Sequence, residues 1–595
     1  MFQASGVATV PFGCFGCVMK RRLLDTLDPA EGRGWSSIRN QTARTSRPGP
    51  ENLRELFKWP ERVAQDLARN YSVDGSDGEG EARMMRLNAV LDRGLGIDSL
   101  YSGFDCPRWA LEPTLDFIIK ERGWTFRNCV PKGYEFQTAC DWGAVQQELL
   151  CTVSHRHDGS AHCVLGDIIE RMPKFARDLV YESLPAESAT DDQKRGAYLE
   201  IRDWLFENRQ VVFLVDAQSS CLVHDEQCFV HTGWRMGEQV EEAPPPPPEL
   251  VEWSEPIAEA PPRYARPWAA SVAGVTCVAW STAGNQEGTA HVSELYHHVW
   301  QIERITMMEK MLEDIAFMEC TPRHPAEQRL QDECGHWCYA FWVVAGSQYM
   351  GFPSLRERVL GVLLNRKTVK WMGPATQEQV EVEFTELFAR SVQMPGGALI
   401  ADSEEARWNM YLRMANNRHR RSGRTFTVYE LQQMEHWELL MTLGPPGCNQ
   451  RFGEWIAHMQ ATHPIMPGEP YICDLDHRPN TRSSGGREFP SQLTHGTIMS
   501  ILERDNWKIA TPLEHLGALG VHSLPEYCRD FPESPVVRSM RNAELNEKSM
   551  KELCGNGMHL QTQAAWMLYV LCNVAEVDQR DGEVEGGGDD WGEMW

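Results

Sequence analysis

The sequence predicts an α/β fold of two or three domains, on three observations. The chain has 595 residues, which is too long for one compact core. Its composition, 42% hydrophobic and 24% charged, is typical of globular proteins. Short apolar stretches are repeatedly followed by a turn and a helical pattern between residues 94 and 366. This alternation favours a sheet that carries ligand-binding groups at the carboxyl ends of its strands.

The first strands of the predicted sheet each end in a polar or aromatic group. GLGIDSLYSGF (94–104) reads as a strand and a turn, and a helical run follows it. The next apolar stretch ends at Asp141, and HCVLGDII (162–169) ends in an acid at Asp167. VVFLVDA (211–217) is predicted to be a further strand.

Net charge and cysteine usage exclude several classes of protein. The formal net charge of −26 argues against non-specific binding of polyanions, so a nucleic-acid partner would need a local basic patch. The 18 cysteines follow no framework spacing, which indicates reduced, intracellular thiols. No stretch reads as a signal peptide or reaches transmembrane length. We therefore expect a soluble protein, without membrane contact, in the nucleus or the cytoplasm.

Changes in amino-acid composition along the chain predict its domain organisation. Five consecutive prolines at 244–248 mark a stiff linker or surface loop, and from about 370 the sequence becomes richer in Gly, Pro, Arg and Asn. The predicted divisions are an N-terminal extension of unknown role (1–94), a catalytic domain (95–370) with an insertion at about 170–268, a recognition domain (371–490), a return to the catalytic domain (491–575) and an acidic disordered tail (576–595).

Three reactive side-chain types follow one another at predicted strand boundaries. Cys277 lies in the glycine-bearing stretch AGVTCVAWSTAGNQEG, and Glu319 ends the apolar strand IAFMEC. Arg356 and Arg358 immediately precede the apolar strand of GFPSLRERVLGVLLNR. If these strand ends share one edge of the sheet, a thiol, a carboxyl group and a guanidinium converge. For Glu319 and Arg358 the alternative is a structural ion pair, and for Cys277 it is a buried structural thiol.

Eight short stretches of the sequence, taken in chain order, resemble the motifs of the cytosine-C5 DNA methyltransferase family. The resemblance covers roughly residues 95–575. The stretches that carry it are DSLYSGFDCPRWALE (98–112), CDW (140–142), GDI (166–168), TCVAWSTAGNQEG (276–288), FMECTP (317–322), SLRERV (354–359), KIATPLEHLGALGV (508–521) and GNG (555–557).

The resemblance implies a Rossmann-like, S-adenosylmethionine-dependent methyltransferase fold with a smaller inserted target-recognition domain. It also implies methyl transfer to C5 of cytosine in DNA, on a base that is flipped out of the duplex. Cys277 would add covalently to C6 of the base, Glu319 would contact its N3 edge, and Arg358 would hold O2. The remaining implied site residues are Arg356 in the catalytic group and Tyr101, Gly103, Asp141, Trp142, Asp167 and Asn556 around the methyl donor.

The sequence departs from the family pattern at several positions, and two other functions stay open. Asp105 and Cys106 stand where the first motif usually has glycines, and Thr276 replaces the usual proline before the nucleophile. Cys320 replaces the asparagine after the glutamate. The alternatives are a transfer-RNA cytosine-C5 methyltransferase and a catalytically weakened descendant that acts as a nucleic-acid-binding scaffold.

The densest basic run and the His/Cys clusters complete the candidate sites. NNRHRRSGR (416–424) suits contact with phosphates, the alternative being a solvated helix face. Clusters at 151–163 and 334–338 lack the paired spacing of structural zinc sites, and a CxxC pair at 14–17 has no second pair nearby. We interpret them as loop histidines and buried thiols and predict no metal site. The predicted phosphate contacts are Arg418, Arg420, Arg421 and Arg424.

Overall fold

The computed structural model describes most of the chain between residues 47 and 577. The predicted nucleophile Cys277, the proline run 244–248 and the tail from 578 onwards lie outside the described residues. The described residues are 47–69, 78–101, 103–126, 130, 132–154, 163–214, 216–230, 266–275, 279–280, 287–444, 447–462, 469–479, 485–492, 494, 496–524, 534, 536–538 and 545–577.

The described residues form β-strands that belong to one large sheet and three smaller ones. The strands are β1 (Arg47–Pro48), β2 (Leu95–Leu100), β3 (Tyr134–Cys140), β4 (Cys163–Leu165), β5 (Gln218–Cys221), β6 (Glu226–Phe229), β7 (Trp268–Gly274), β8 (Ile315–Cys320), β9 (Cys338–Gly346), β10 (Glu357–Asn365), β11 (Val369–Trp371), β12 (Arg390–Ser391), β13 (Tyr471–Asp474), β14 (Gly485–Gly486), β15 (Ile498–Glu503), β16 (Asn506–Ile509) and β17 (Val574–Glu576).

Helices surround the large sheet and make up much of the smaller domain. The α-helices are α1 (Leu53–Leu56), α2 (Trp59–Ala68), α3 (Glu79–Arg93), α4 (Cys106–Arg122), α5 (Ala144–Ser154), α6 (Lys174–Glu182), α7 (Asp191–Glu207), α8 (Arg209–Val212), α9 (Ser293–Glu309), α10 (Gln377–Phe388), α11 (Glu404–His419), α12 (Val428–Gln432), α13 (His436–Leu443), α14 (Cys448–Thr462), α15 (Pro512–Gly517), α16 (Glu547–Asn556) and α17 (Leu560–Leu571).

The large sheet has nine strands in the order β6-β5-β4-β3-β2-β7-β8-β10-β9. The strands from β4 to β8 are parallel, whereas β10 runs antiparallel to both β8 and β9. The chain builds outwards from β2 in one direction through β3 and β4, then returns to the other side of β2 with β7 and β8. This reversal of strand order is the defining feature of a doubly wound, Rossmann-like sheet. The predicted α/β fold class is therefore confirmed.

Hydrophobic clusters cover both faces of the large sheet, which explains why its strands are almost continuously apolar. Ile315 and Phe317 of β8 face one cluster, which includes side chains of α2, α3, α4 and α17. Ala316 and Met318 face the other, which includes side chains of α6, α7 and α9. This alternation is the two-residue period of a strand. The strand ends are therefore the places where polar side chains can emerge.

One segment packs closely into the main core and another differs from the sequence-based expectation. In the N-terminal extension, α1, α2 and α3 pack into the main core, and Trp59 donates a hydrogen bond from Nε1 to the Gly520 carbonyl oxygen at 2.8 Å. The prediction of a strand at 211–217 is wrong. Val211 and Val212 belong to the helix α8, and Val211 is 54% exposed. A short apolar run does not by itself distinguish a strand from a helix.

A smaller domain is inserted before the last elements of the main one. The antiparallel sheet β14-β13-β15-β16 packs against α11, α13 and α14 around a separate hydrophobic cluster that includes Trp455 and Ile501. The chain then returns to the main core through α15, α16 and α17. The inserted smaller domain is thus confirmed, and its role in target recognition stays a prediction.

Candidate active site

Three neighbouring strands of the large sheet carry or lead towards the catalytic candidates. Gly274, at the end of β7, is paired in register with Glu319 on β8, and Glu319 is paired with Leu360 on β10. Arg358 lies two residues before Leu360 on the same strand. Cys277 follows Gly274 by three positions in the sequence, although its own placement lies outside the described residues. The strand that precedes Cys277 in the sequence therefore ends beside the strand that carries the carboxyl group.

Glu319 and Arg358 form an ion pair at this edge. Nε of Arg358 lies 2.8 Å from Oε1 of Glu319, and their side chains are 14% and 10% exposed respectively. Arg358 also donates from Nη1 to the carbonyl oxygen of Glu357 at 2.7 Å. A guanidinium held at two points is oriented before any ligand arrives, and low exposure strengthens its field at the carboxylate. The structure thus brings together two of the four predicted catalytic residues, in the ion pair that the structural alternative also predicts.

Arg356 has a different role from Arg358. Its buried guanidinium donates from Nη2 to the carbonyl oxygens of Gly555 and Gly557, the former at 3.0 Å. These carbonyls belong to the Gly-Asn-Gly turn at the end of α16. Arg356 therefore ties this turn to the start of β10, which makes it a positioning residue in the structure. A direct contact with a base stays a prediction.

The crevice between β2 and β7 lies where the strand order of the sheet reverses. Tyr101 and Gly103 follow β2 with φ angles of +51° and +58°, so the chain turns sharply there. A Cβ added at Gly103 would meet only the carbonyl oxygen of Asn556 among the described atoms within 4 Å, at 3.7 Å. Ligands of doubly wound sheets bind at such switch points, and glycine lets their atoms approach the backbone closely.

Asp141 and Trp142 follow β3 at the same edge of the sheet. Oδ2 of Asp141 accepts a hydrogen bond from the Gly103 amide at 2.9 Å, and Oδ1 accepts one from the Gly143 amide at 3.0 Å. Burial raises the pKa of the Asp141 carboxyl to about 6, against the lowering effect of these two amides. The side chain of Trp142 is 67% exposed. A large apolar ring left in solvent at a ligand-binding edge offers a surface on which a planar base can stack.

Asp167 lies beside a residue that the sequence analysis did not single out. Oδ1 of Asp167 accepts the Ile169 amide at 2.9 Å and caps a short 3₁₀ turn, and Oδ2 accepts the Tyr296 hydroxyl at 3.0 Å. Burial raises the pKa of the Asp167 carboxyl. Tyr296 also accepts, through its carbonyl oxygen, the hydroxyl of Tyr101 at 3.0 Å. Tyr296 lies on α9, far from both partners in sequence, so no local pattern indicates this link.

The departures in the first motif are packed into the protein interior. Asp105 is 1% exposed and precedes α4 with a φ of +65°. Its carboxyl group accepts a hydrogen bond from the side chain of Ser99. Burial raises its carboxyl pKa to about 6. Sγ of Cys106 accepts the Met558 amide at 3.1 Å, and burial raises the pKa of this thiol to about 12. Both side chains are thus buried and hydrogen-bonded within the protein.

These features fit the methyl donor that the resemblance implies. An open glycine backbone, a carboxyl group at the end of β3 and an exposed indole ring beside it suit an amino-acid moiety, a ribose and an adenine respectively. Gly103, Asp141 and Trp142 would hold those three parts. Asn556 is exposed at the end of α16, and its carbonyl oxygen lies next to Gly103.

The four predicted phosphate-binding arginines lie together at the end of α11 and in the turn that follows. All four side chains are exposed, and none pairs with a carboxylate among the described residues. Arg424 lies over the ring of Phe426, with 4.4 Å between its Cζ and the ring centroid. The patch belongs to the smaller domain.

In the part of the chain that the structure describes, no helix has the length and apolar character needed to cross a bilayer.

No family model and no curated protein matches the sequence. Among solved structures, the chain is similar to a mutant DNMT2 of Spodoptera frugiperda and to the Dnmt2 methyltransferase of S. pombe, each at 11% identity and a TM-score of 0.33. It is also similar to the Entamoeba histolytica methyltransferase EhMeth, at 8% identity and a TM-score of 0.32. Each match covers 80% of this chain and 98% or 99% of the other.

Proposed function

We propose that this protein transfers a methyl group from S-adenosylmethionine to C5 of cytosine in DNA. The observation that carries the proposal is the ion pair of Glu319 with Arg358 on β8 and β10, next to the end of β7. The chain continues from β7 towards Cys277. A nucleophile, a carboxyl group and a guanidinium are the set of side chains that this reaction requires.

C5 of cytosine is too weak a nucleophile to take a methyl group directly, so covalent catalysis is needed. The thiolate of Cys277 adds to C6, and the electron pair of the C5–C6 double bond becomes available at C5. S-adenosylmethionine, which Gly103, Asp141, Trp142 and Asp167 would hold, would supply the methyl group to C5, and its sulfonium would become a neutral thioether. A water molecule would then take the C5 proton, and the released electron pair would restore the double bond and expel the thiolate of Cys277. One difficult step is thereby replaced by easier ones.

Glu319 and Arg358 stabilise the ring during the addition. Glu319, protonated or sharing a proton with the base, would donate to N3 and accept from the exocyclic amine, which offsets the charge that develops in the ring as the thiolate adds. Arg358 would donate to O2 and fix the base against Cys277. Their mutual contact supports this assignment, because each group holds the other in place before the base enters.

A cytosine within a duplex cannot reach these groups and must be flipped out. The smaller domain would bind the duplex, with the exposed arginines Arg418, Arg420, Arg421 and Arg424 on phosphates. Gly103, Asp141, Trp142 and Asp167 would hold the methyl donor at the carboxyl ends of β2, β3 and β4.

Covalent trapping tests the proposal. A duplex with 5-fluorocytosine cannot lose the C5 substituent after methyl transfer, so the full chain incubated with this duplex and S-adenosylmethionine should form a complex that survives denaturing electrophoresis. Cys277→Ser should abolish the complex. Cys334→Ser, which changes a buried thiol away from this edge, should retain it.

The same assay separates the alternatives. A complex formed with 5-fluorocytosine transfer RNA but not with DNA would overturn the assignment of the substrate and support the RNA methyltransferase. Binding of S-adenosylhomocysteine without a complex on either nucleic acid would overturn the assignment of the reaction and support a non-catalytic descendant.

A further inference from the structure

Three cysteines and one histidine converge at the edge of the large sheet, away from the candidate active site. Cys163 begins β4, Cys221 ends β5, His224 lies in the turn of the β5–β6 hairpin, and Cys228 lies on β6. One potential metal-binding atom from each of the four lies within 4.8 Å of those of the other three. Nothing in the proposed reaction uses these groups.

The distances match a tetrahedral metal centre. Nδ1 of His224 lies 3.3 Å from Sγ of Cys228, 3.4 Å from Sγ of Cys221 and 3.7 Å from Sγ of Cys163. In a tetrahedral zinc site with metal–sulfur bonds of about 2.3 Å and metal–nitrogen bonds of about 2.0 Å, nitrogen and sulfur are about 3.5 Å apart. The three nitrogen–sulfur distances lie on both sides of this value, and the sulfur atoms lie within 4.8 Å of one another. A single ion between them would therefore reach all four atoms with small side-chain adjustments.

Hydrogen bonding alone does not account for the arrangement. A histidine ring nitrogen has either one lone pair or one N–H, so it engages one thiol well and not three. None of the three cysteines is in a disulfide. A bound cation explains why three sulfurs surround one nitrogen.

The surroundings indicate a structural site and not a catalytic one. The three cysteines are buried, at 2%, 1% and 1% exposure for Cys163, Cys221 and Cys228, whereas His224 is exposed. Four protein ligands complete a tetrahedral shell and leave no position for a substrate or an activated water. Thiolates buried in an apolar sheet edge also need a cation, because an uncompensated buried charge is costly.

We propose that Cys163, Cys221, His224 and Cys228 bind one Zn²⁺ in a closed tetrahedral site. Binding would release the three thiol protons, and His224 would coordinate as the neutral ring through Nδ1. The ligand types favour zinc, since thiolate and imidazole in tetrahedral geometry are its preferred set.

The ion would fasten the β5–β6 hairpin to the parallel sheet. β4 has only three residues, and Leu165 with Cys221 is the register pair that joins it to β5. The amide of Leu222 adds one bond to the Val164 carbonyl oxygen at 2.8 Å. So short an edge is weakly held by backbone hydrogen bonds alone. β4 leads directly to Asp167, so the metal would also support that strand end.

Sequence spacing alone did not reveal this site. Cys221-x2-His224-x3-Cys228 has the close spacing of a zinc-binding turn, but its fourth ligand comes from an earlier strand. In the sequence, Cys163 instead stands next to His162 and near Cys151, which suggests a different grouping. The prediction of no metal site is thus replaced by a proposal that rests on residues from separate segments.

Metal content tests the proposal directly. The full chain, expressed with added zinc and purified without chelator, should contain about one equivalent of Zn²⁺ by elemental mass spectrometry. Cys221→Ser and Cys228→Ser should lose most of this zinc. Cys151→Ser, which alters a neighbouring thiol that is not among the four, should retain it. Full-length protein without zinc, or zinc unchanged in both ligand variants, would overturn the proposal.

Two further measurements keep the test decisive if a serine variant misfolds. His224→Cys changes an exposed side chain and offers a fourth thiolate, so it should retain the metal, whereas His224→Ala should bind it more weakly. Titration of the zinc-free chain with Co²⁺ should give the intense visible bands of a tetrahedral thiolate complex. Weak octahedral bands alone would overturn the proposal. This test is independent of methyl transfer, so the zinc site can fail while the proposed function holds, and the reverse.

Discussion

Arg358 and Glu319 are joined by an ion pair in which the guanidinium Nε and the carboxylate Oε1 lie 2.8 Å apart. The two residues come from antiparallel neighbours, β10 and β8, and the pair is mostly buried. Because each holds the other in position, they should act on a bound base as one unit.

Loss of either partner should therefore cost about as much as loss of both. We expect Glu319→Gln and Arg358→Gln each to lower kcat/KM for cytosine methylation about 10²–10³-fold, the range seen for one transition-state hydrogen-bond donor. The loss of kcat/KM in the double variant should be far smaller than the product of the two single losses. Steady-state methylation assays measure this, with Glu378→Gln on the exposed face of α10 as the control. Multiplicative losses would show that the residues act independently.

Binding of the methyl donor should depend on pH through Asp141. Burial raises its carboxyl pKa to about 6, so the group is neutral below that pH and ionised above it. A ribose hydroxyl donates better to a carboxylate, so affinity for S-adenosylhomocysteine should rise with pH through about 6 and then level off. Folding stability should change in the opposite sense, because a raised carboxyl pKa favours the folded state at low pH.

Calorimetric titrations across this range give the measurement. The Asp141→Asn variant should bind S-adenosylhomocysteine more weakly than the wild type, and its affinity should not depend on pH. Asp105→Asn is the matched control, because Asp105 is also buried with a pKa raised to about 6 but is not among the residues proposed to hold the methyl donor. If the pH dependence disappeared in Asp105→Asn and persisted in Asp141→Asn, the titrating group would be Asp105, and the prediction for Asp141 would be wrong.

Trp142 should contribute to binding and hardly at all to stability. Its side chain is 67% exposed, so Trp142→Ala should change the free energy of unfolding by no more than about 0.5 kcal/mol. Loss of stacking on an adenine should weaken S-adenosylhomocysteine binding by about 1–3 kcal/mol. Trp142→Phe should recover part of this loss. If the wild type and Trp142→Ala bound S-adenosylhomocysteine with equal affinity, Trp142 would not be part of the donor site.

The strand ends were predictable from sequence because they combine a short apolar run with an abrupt polar residue. Glu319 illustrates this, since IAFMEC admits few positions at which a carboxyl group can leave the core. Contacts between distant segments were not predictable. Tyr296 with Asp167, and Cys163 with the β5–β6 hairpin, depend on how strands and helices pack, which no local pattern records. The apolar run at 211–217 was wrongly predicted to be a strand because a run of this length occurs in both strands and helices.

The basic patch of the smaller domain should bind nucleic acid through phosphates. Arg420→Glu and Arg421→Glu should weaken DNA binding and reduce the slope of log K against log salt by about 0.9 for each lost phosphate contact. Fluorescence anisotropy at several salt concentrations measures this. Lys120→Glu, at the exposed end of α4, is the control for net charge. An equal loss of affinity with Lys120→Glu would indicate a general charge effect and no localised patch.

Stability of the junction between the two domains should depend on a buried ion pair. Arg407 on α11 lies 2.7 Å from Oε1 of Glu514 on α15, and both side chains are almost fully buried. Glu514 also accepts the amides of Asp402 and Thr511 at 2.9 Å and 2.7 Å. Arg407→Met would leave a buried carboxylate without its cation, which should lower the free energy of unfolding by about 3–5 kcal/mol.

An exposed ion pair provides the comparison for this last prediction. Nε of Arg413 lies at a similar distance, 2.8 Å, from Oε1 of Glu547, but the Arg413 side chain is 56% exposed. Solvent screens this pair, so Arg413→Met should cost no more than about 1 kcal/mol. Urea unfolding followed by tryptophan fluorescence measures both variants. Adding Glu514→Leu to Arg407→Met should recover only part of the loss, because Glu514 also satisfies two backbone amides. Equal effects of Arg407→Met and Arg413→Met would mean that burial does not determine the strength of the Arg407–Glu514 pair.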